Sequence, residues 1–182
     1  MSRVSSLVLV ALLGSLLVGC TTVGEDLEPT GEVPSTVEST VPAWTDEELS
    51  VIEAVENYLQ VWVDISQNLS GADFSRILDV ATHPVATDVQ LQWADWVEGG
   101  WHLEGSPIFT IDYITISGFD DLGQRFHVHG CYSIENVYLV DAVGQKAEDR
   151  GIERGTALYE VIRDTEGQYL VLSDDGGEIE PC

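Results

Sequence analysis

The stretch IFTIDYITISGFDDLGQRFHVHGCYSIENVYLV, residues 108–140, decides the fold that we expect of this chain. Apolar and polar side chains alternate from Ile108 to Ser117, and a polar turn that contains a glycine follows at 120–123. Residues 125–140 resume the alternation, with largely apolar even positions and polar odd positions. Because side chains of a strand point to opposite faces in turn, this period of two predicts two adjacent strands with one buried face.

Two further strands are predicted downstream of this stretch. Residues 156–164 and 169–173 are rich in β-branched and aromatic side chains and flank the turn signal Glu166-Gly167. This pattern favours a hairpin. Gly144 marks another turn, and the charged segment that follows it up to Arg154 is interpreted as an irregular, mobile loop.

Upstream of the strands, apolar residues repeat every three or four positions, which indicates helices. Thr45 and Glu48 have the spacing of a capping box, and the helix that they begin is expected to run to about Ser66. Its predicted inward face consists of Leu49, Ile52, Val55, Leu59 and Trp62.

Two more helical segments are expected before the sheet. One covers 72–81 and ends before His83-Pro84, because the residue before proline is pushed out of the helical region. The other covers 88–97 and ends at Gly99-Gly100. Helices followed by adjacent strands predict an α+β fold, with three N-terminal helical segments packed on a curved antiparallel sheet.

The first residues have the features of an exported protein. Arg3 precedes an uncharged apolar run from Leu7 to Val18, which is shorter than the roughly 20 residues that a membrane span needs. The sequence LVGC at 17–20 resembles the lipobox of bacterial lipoproteins. That resemblance implies that residues 1–19 are a signal peptide and that Cys20 is lipidated at the extracytoplasmic face of the cell membrane. An ordinary signal peptide followed by an incidental cysteine is the alternative.

The rest of the chain divides into a linker and one domain. After Cys20, residues up to 44 are acidic, rich in Thr, Ser and Pro, and without a base, so we expect a disordered linker. Residues 45–182 suit a single globular domain. The chain has 32 acidic against 7 basic residues and a net charge of −25, which argues against nucleic acid as a partner. Such a field would attract cations or a basic partner, although solubility alone is the simpler explanation of the acidity.

The three cysteines have separate expected roles. With Cys20 lipidated, Cys131 and Cys182 remain as an even pair in an oxidising compartment, which favours a disulfide between them. Two free thiols or a metal site are the alternatives.

The order of elements resembles the cone-shaped nuclear transport factor 2-like (cystatin-like) fold, and more narrowly secreted actinobacterial lipoproteins of that fold. The features that carry the resemblance are Gly-Ser-Pro at 105–107 before the sheet, the Gly130-Cys131 step within a long strand, and Cys182. The resemblance implies that the sheet and the helices enclose a pocket. Relatives use this pocket for isomerisation or dehydration of small molecules or for ligand binding, or fill it with side chains.

Aromatic and acidic residues are the candidates for binding a ligand. They are Tyr58, Trp93, Trp96, Trp101, Asp112 and Tyr132. The tryptophans could line the pocket, form an exposed docking patch, or plug the open end of the cone. Asp112 and the tyrosines supply the carboxylate and hydroxyl groups of proton-transfer chemistry. No position matches a catalytic motif of the family, so no catalytic residue is assigned.

Two other clusters suggest metal binding only weakly, and we expect no metal and no cofactor. His127 and His129 share one predicted strand face, a spacing that suits zinc or copper, but a third ligand is not evident. The acidic run DDGGE at 174–178 lacks the alternating ligands of a calcium loop and is interpreted as a polar turn.

Two functions follow from these patterns. The anchor, the linker and the missing catalytic set favour a membrane-anchored, non-catalytic module that binds an unassigned protein or small molecule. The alternative is a small-molecule isomerase or dehydratase of the same fold. An open cavity with a carboxylate near a tyrosine would favour the enzyme, and a filled cone would favour the module.

Overall fold

The computed structural model describes residues 43–148, 153–175 and 182. The predicted signal peptide, Cys20 and all but the end of the predicted linker lie outside these residues. Helix α1 spans Asp46–Gln67, two 3₁₀ helices span Leu69–Gly71 and Phe74–Asp79, and α2 spans His83–Gly99. The strands that follow within the described residues are β1 His102–Glu104, β2 Ile108–Asp120, β3 Gly123–Ser133, β4 Tyr138–Val140, β5 Arg154–Arg163 and β6 Tyr169–Asp175.

The main sheet is antiparallel, with the strand order β2-β3-β5-β6. β1 and β4 form a separate two-stranded antiparallel sheet. Helices α1 and α2 pack on one face of the main sheet and share a single hydrophobic core with it. The fold class is therefore α+β, with helical segments on an antiparallel sheet as in the nuclear transport factor 2-like cone, and the predicted class is confirmed.

Helix α1 begins where the capping box predicts. The Thr45 hydroxyl accepts a hydrogen bond from the Glu48 N–H at 3.2 Å, and the Glu48 carboxylate accepts one from the Thr45 N–H at 2.7 Å. The predicted inward face is only partly correct, since Leu49 is 48% exposed. Apolar residues lie on several sides of this helix, and its packing on the sheet determines which of them are buried. The buried set is Val51, Ala54, Val55, Tyr58, Val63, Ile65 and Ser66.

The boundaries of the other helices differ from the prediction. His83 and Pro84 begin α2 rather than only ending the segment before it. Proline is accommodated there because the first turn of a helix has no internal partner for the N–H that proline lacks. The segment predicted as the second helix contains the 3₁₀ helix Phe74–Asp79. No helix within the described residues is both long and apolar enough to cross a membrane.

The long strand predicted over 125–140 is divided in two. β3 ends at Ser133, and β4 begins at Tyr138 and pairs with β1. The Val137 N–H donates to the Ile134 carbonyl at 2.9 Å and closes a turn between the two strands. Apolar residues stand at even positions on both sides of the turn, at Ile134 and Tyr138, and only Asn136 interrupts the pattern, so periodicity alone does not reveal the break.

The even residues of β3 face the helices, as predicted. Phe126 is 1% exposed and Val128 is completely buried, and both belong to the core that α1 and α2 complete. Trp93 of α2 is also completely buried, and its indole N–H donates to the buried Ser66 hydroxyl at 2.8 Å. This bond satisfies two polar groups that would otherwise lose their hydration without compensation.

Gly130 is a point of close approach between β2 and β3. A Cβ at this position would lie 2.6 Å from the ring of Phe109 and even closer to the Thr110 carbonyl oxygen. The Phe109 ring therefore occupies the space that a side chain at position 130 would need.

A disulfide joins Cys131 to Cys182, as the even pair of cysteines predicts. Cys131 lies at an odd position of β3, on the face opposite the helices. The bond covalently attaches the chain beyond β6 to the outer face of the sheet.

We expect Gly130→Ala to lower the free energy of unfolding by about 1–3 kcal/mol, because the added methyl group overpacks the space that Phe109 fills. Chemical denaturation measures the change. Gly71→Ala is the matched control, since a Cβ there would meet nothing within 4 Å. Equal losses in the two variants would contradict the packing argument.

We expect mass spectrometry of the unreduced protein to find Cys131 and Cys182 in one linked peptide. The two cysteines are 51 positions apart. Replacing both by serine should lower the free energy of unfolding by about 4 kcal/mol, the chain-entropy value for a loop of this length. Two alkylatable thiols in the native protein would show that the bond does not form.

Candidate ligand-binding site

A pocket of about 490 Å³ lies between the α-helices and the inner face of the sheet. This volume is within the range of roughly 300–1,000 Å³ that is usual for small-molecule sites. The lining residues are Tyr58, Leu59, Trp62, Asp88, Val89, Gln92, Pro107, Tyr132, Ile134, Ala157, Tyr159 and Asp174. The cone is therefore open on this side rather than filled.

The pocket lies where one inward pair of the sheet is small, while Tyr159 and Tyr132 on the same inward faces form part of its wall. Phe126 on β3 pairs with Val161 on β5, and both are buried in the core. Further along the same two strands, Gly130 pairs with Ala157. Neither residue has a side chain long enough to reach the helices, and the space left beside Ala157 belongs to the pocket.

A larger groove of about 830 Å³ lies elsewhere, along the end of α1 and residues 68–72. Trp101 and His102 border it, and its Arg76 pairs with Asp64 at 3.6 Å. We treat the smaller pocket as the candidate site, because aromatic rings, hydroxyl groups and carboxylates converge there.

A β-bulge brings Asp174 to the pocket. The register of β5 and β6 skips Leu172, which has no cross-strand residue opposite it. The extra residue reverses the alternation of β6 after Val171, whose side chain is completely buried. Asp174 therefore faces inward, directly opposite Tyr159, whereas without the bulge its two neighbours would face inward instead.

Tyr58 and Asp174 form the polar pair of the pocket. The Tyr58 hydroxyl donates a hydrogen bond to the Asp174 carboxylate. Tyr58 is 2% exposed, and burial raises the pKa of its hydroxyl, as does the neighbouring charge of Asp174. Burial also raises the pKa of Asp174, against the lowering effect of the Tyr58 hydrogen bond, and the charges of Asp175 and Asp88 raise it further.

Tyr159 forms the aromatic wall next to this pair. Its ring meets the ring of Tyr58 edge-on at 6.2 Å and that of Phe109 at 4.9 Å. Burial raises the pKa of the Tyr159 hydroxyl, and the charge of Asp174 adds to this effect. The hydroxyl group therefore stays neutral and can both donate and accept a hydrogen bond.

Three of the six predicted ligand-binding residues lie at or behind the pocket wall. Tyr58 and Tyr132 line the pocket directly. Trp96 stands behind Trp62, a lining residue, with the two rings edge-on at 6.1 Å. Trp96 can therefore fix the position of a wall residue without lining the pocket.

The other three predicted residues do not line this pocket. Trp93 is completely buried in the core, where its side chain contacts Ser66 of α1 and the ring of Phe74 rather than lining the pocket. Trp101 borders the larger groove. Asp112 is exposed on β2, at a register shift between Ile111 and Tyr113.

The two strand histidines lie on the outer face of β3, away from the pocket. The His129 ring stacks on Tyr113 at 4.3 Å, and His127 lies 4.0 Å from Glu160. Burial, and then the charge of His127, lowers the pKa of His129. Among the residues that the structure describes, no three His, Cys, Asp or Glu side chains are grouped to hold a metal ion.

Sequence reasoning missed Asp174, Asp88 and Tyr159. Asp174, interpreted from the sequence as part of a polar turn, lies in β6 and lines the pocket. The sequence gives only a weak indication that Asp174 belongs to β6, since two acidic residues that directly follow a strand usually mark its end. Asp88 and Gln92 are one helical turn apart on α2 and share the pocket side. The helix predicted over 88–97 contains both, but polar residues on a helix usually face solvent, so their spacing gives no sign of a site.

Comparison with known proteins supports the fold alone. No protein-family model matches the chain, and no curated protein matches it. Among solved structures, the intermembrane space region of the chloroplast protein ARC6 is similar, with a TM-score of 0.52 and 14% identity over 74% of this chain and 97% of that chain. A putative aromatic ring hydroxylase from Novosphingobium aromaticivorans DSM aligns over 74% of this chain and 96% of that chain, with a TM-score of 0.40 and 11% identity. That second likeness is too weak to carry an argument.

Proposed function

We propose that this chain is a secreted bacterial lipoprotein of the actinobacterial type whose domain is a non-catalytic module that binds a small molecule. The observation that carries the proposal is the open pocket of about 490 Å³ in which two carboxylates and several aromatic rings converge. Small-molecule sites combine apolar walls with a few placed polar groups, and this lining has both. The lipobox-like LVGC at 17–20 supports the anchor at the extracytoplasmic face of the cell membrane.

The charges of the pocket support binding over proton-transfer catalysis. An isomerase that forms an enolate must stabilise negative charge on a substrate oxygen with hydrogen-bond donors. Tyr58 donates its single O–H to Asp174, and the donors that remain in the lining, such as the Tyr159 hydroxyl opposite Asp174, are neutral. None of the described residues that line the pocket is basic. An anion formed beside Asp88 and Asp174 would therefore be repelled.

One observation favours the second candidate function, a small-molecule isomerase or dehydratase. The pocket is open and holds a carboxylate beside a tyrosine, which is the arrangement expected of the enzyme rather than of a filled cone. The raised pKa of Asp174 also moves this carboxyl group toward the range that suits a general base.

We expect ligand-observed NMR on the full-length protein to find binders in a fragment library with equal numbers of cationic, neutral and anionic compounds. Leu59→Trp should abolish their binding, because the larger side chain fills the pocket. Leu91→Trp on α2 is the matched control, since Leu91 is 60% exposed and does not line the pocket. A library without binders, or binders that tolerate Leu59→Trp, would refute the binding function.

The catalytic alternative has its own readout. Library members with a carbonyl-activated C–H should exchange deuterium from D₂O if the pocket transfers protons, and Asp174→Asn should slow that exchange by about 10²–10⁴-fold. We expect no exchange above background. Catalysed exchange that is lost in Asp174→Asn, while binding persists, would replace the binding module by an isomerase.

The anchor predicts a change of cell fraction. In a bacterial host, Cys20→Ser should move the protein from the membrane fraction to the soluble secreted fraction, because the thiol that would carry the lipid is gone. Thr21→Ala, which leaves the thiol in place, should remain in the membrane fraction. Identical partition of the wild type and Cys20→Ser would rule out the lipid anchor.

A further inference from the structure

The pocket carries negative charge without a counter-charge among its described lining residues. Asp88 and Asp174 both line it, and no Lys, Arg or His does. The two carboxylates are close enough for the charge of Asp88 to act on Asp174. Both carboxylates remain exposed to solvent at the pocket, and a cation between them would be attracted by both.

Basic side chains of the domain are engaged outside the pocket. Four of them have partners that the pocket does not contain. The pairs are Arg76 with Asp64, Arg125 with Glu160, Lys146 with the ring of Tyr138, and Arg163 with Glu47. None of these four bases lines the pocket, so none of them neutralises its two aspartates there.

Aromatic rings supply a second element of recognition. Tyr58, Trp62, Tyr132 and Tyr159 line the pocket, and the faces of such rings attract cations as well as apolar groups. The edge-on contact with Tyr58 fixes the Tyr159 ring before a ligand arrives. The Tyr58 hydroxyl takes up one acceptor position of Asp174, and a carboxylate has about four, so the group can still accept from a ligand N–H.

We infer that the pocket binds an organic cation, an amine whose ammonium group lies between Asp174 and Asp88 and whose apolar body lies against the aromatic wall. This inference rests on the proposed binding function, since it names the ligand class of the same pocket. The volume of about 490 Å³ is far larger than a bare ammonium or metal ion requires and suits a compact cyclic or aromatic body. The net charge of −25 would also speed the approach of a cation.

A series of three compounds of similar size tests the assignment. At neutral pH, 2-phenylethylamine is a cation, 3-phenylpropan-1-ol is neutral and 3-phenylpropionate is an anion. Calorimetric titration of the full-length protein should give an affinity for the amine at least about 10-fold above that for the alcohol, because charge-assisted hydrogen bonds are roughly twice as strong as neutral ones. The anion should not bind.

Variants that each remove one negative charge distinguish the effect of charge inside the pocket from the effect of the net charge of the protein. Asp174→Asn and Asp88→Asn should each weaken amine binding by about 10-fold and leave alcohol binding within about 2-fold, since only the charge in the pocket is lost. Asp112→Asn removes the same charge from an exposed site on β2 that does not line the pocket. At physiological salt this control should leave amine binding within about 2-fold, because screening weakens distant charges.

The outcomes distinguish this inference from the function on which it rests. Equal affinity for the amine and the alcohol, or an equal loss in Asp112→Asn and Asp174→Asn, would overturn the cation assignment. If neutral or anionic fragments bind in a manner sensitive to Leu59→Trp while amines show no preference, the binding function stands and the cation assignment fails. If no compound of any class binds, both fail. Retained alcohol binding and unchanged thermal melting show that the variants are folded.

Discussion

The inward side chains of β3 decrease in size from Phe126 to Gly130, before Tyr132 ends the series, and this step contributes to where the molecule is solid and where it is open. Phe126 and Val128 fill the space between sheet and helices, whereas Gly130 contributes no side chain at all. Protein interiors are close-packed, so volume that one residue vacates is taken up by a neighbour or stays accessible. Phe109 takes up the volume over Gly130, but Ala157, the cross-strand partner of Gly130, borders space that remains open. The same strand thus holds the core at one end and the ligand pocket at the other.

Sequence periodicity predicts the parts of the fold that depend on interactions between residues near one another in the chain. The alternation of β3, the capping box at Thr45 and the α+β order of elements are confirmed, whereas two register shifts interrupt the alternation of β2, where Ile108 and Ile116 are exposed. The misplaced residues depend on contacts between distant segments. Leu172 is skipped because of its register with β5, and a single skipped residue changes the face of Asp174. Pro84 can end one helix or begin the next, and its sequence neighbours do not decide between them.

Ionisation of Asp174, which remains exposed to solvent, costs the domain some stability. Because the folded-state pKa of Asp174 is raised above its ordinary value, folding favours the protonated carboxyl group. The contribution of Asp174 to stability is therefore fully present at low pH and is lost as the pH rises through the folded-state pKa. The hydrogen bond from Tyr58 offsets only part of this cost, since burial is the larger effect. A charged group that costs stability in an open pocket is better explained by a ligand than by packing.

Asp174 is nevertheless held firmly, although β6 is an edge strand of the main sheet. Upstream, Val171 accepts a hydrogen bond from the Thr82 N–H at 2.8 Å and donates one to the Val80 carbonyl at 3.0 Å, so the segment before α2 covers this edge. Downstream, Cys182 is bonded to Cys131 on β3, which limits fraying of the strand end. A wall fixed before binding lowers the ordering cost that a ligand must overcome. Because this fixation depends partly on a disulfide, reduction of the Cys131–Cys182 bond would loosen the end of β6 that carries Asp174.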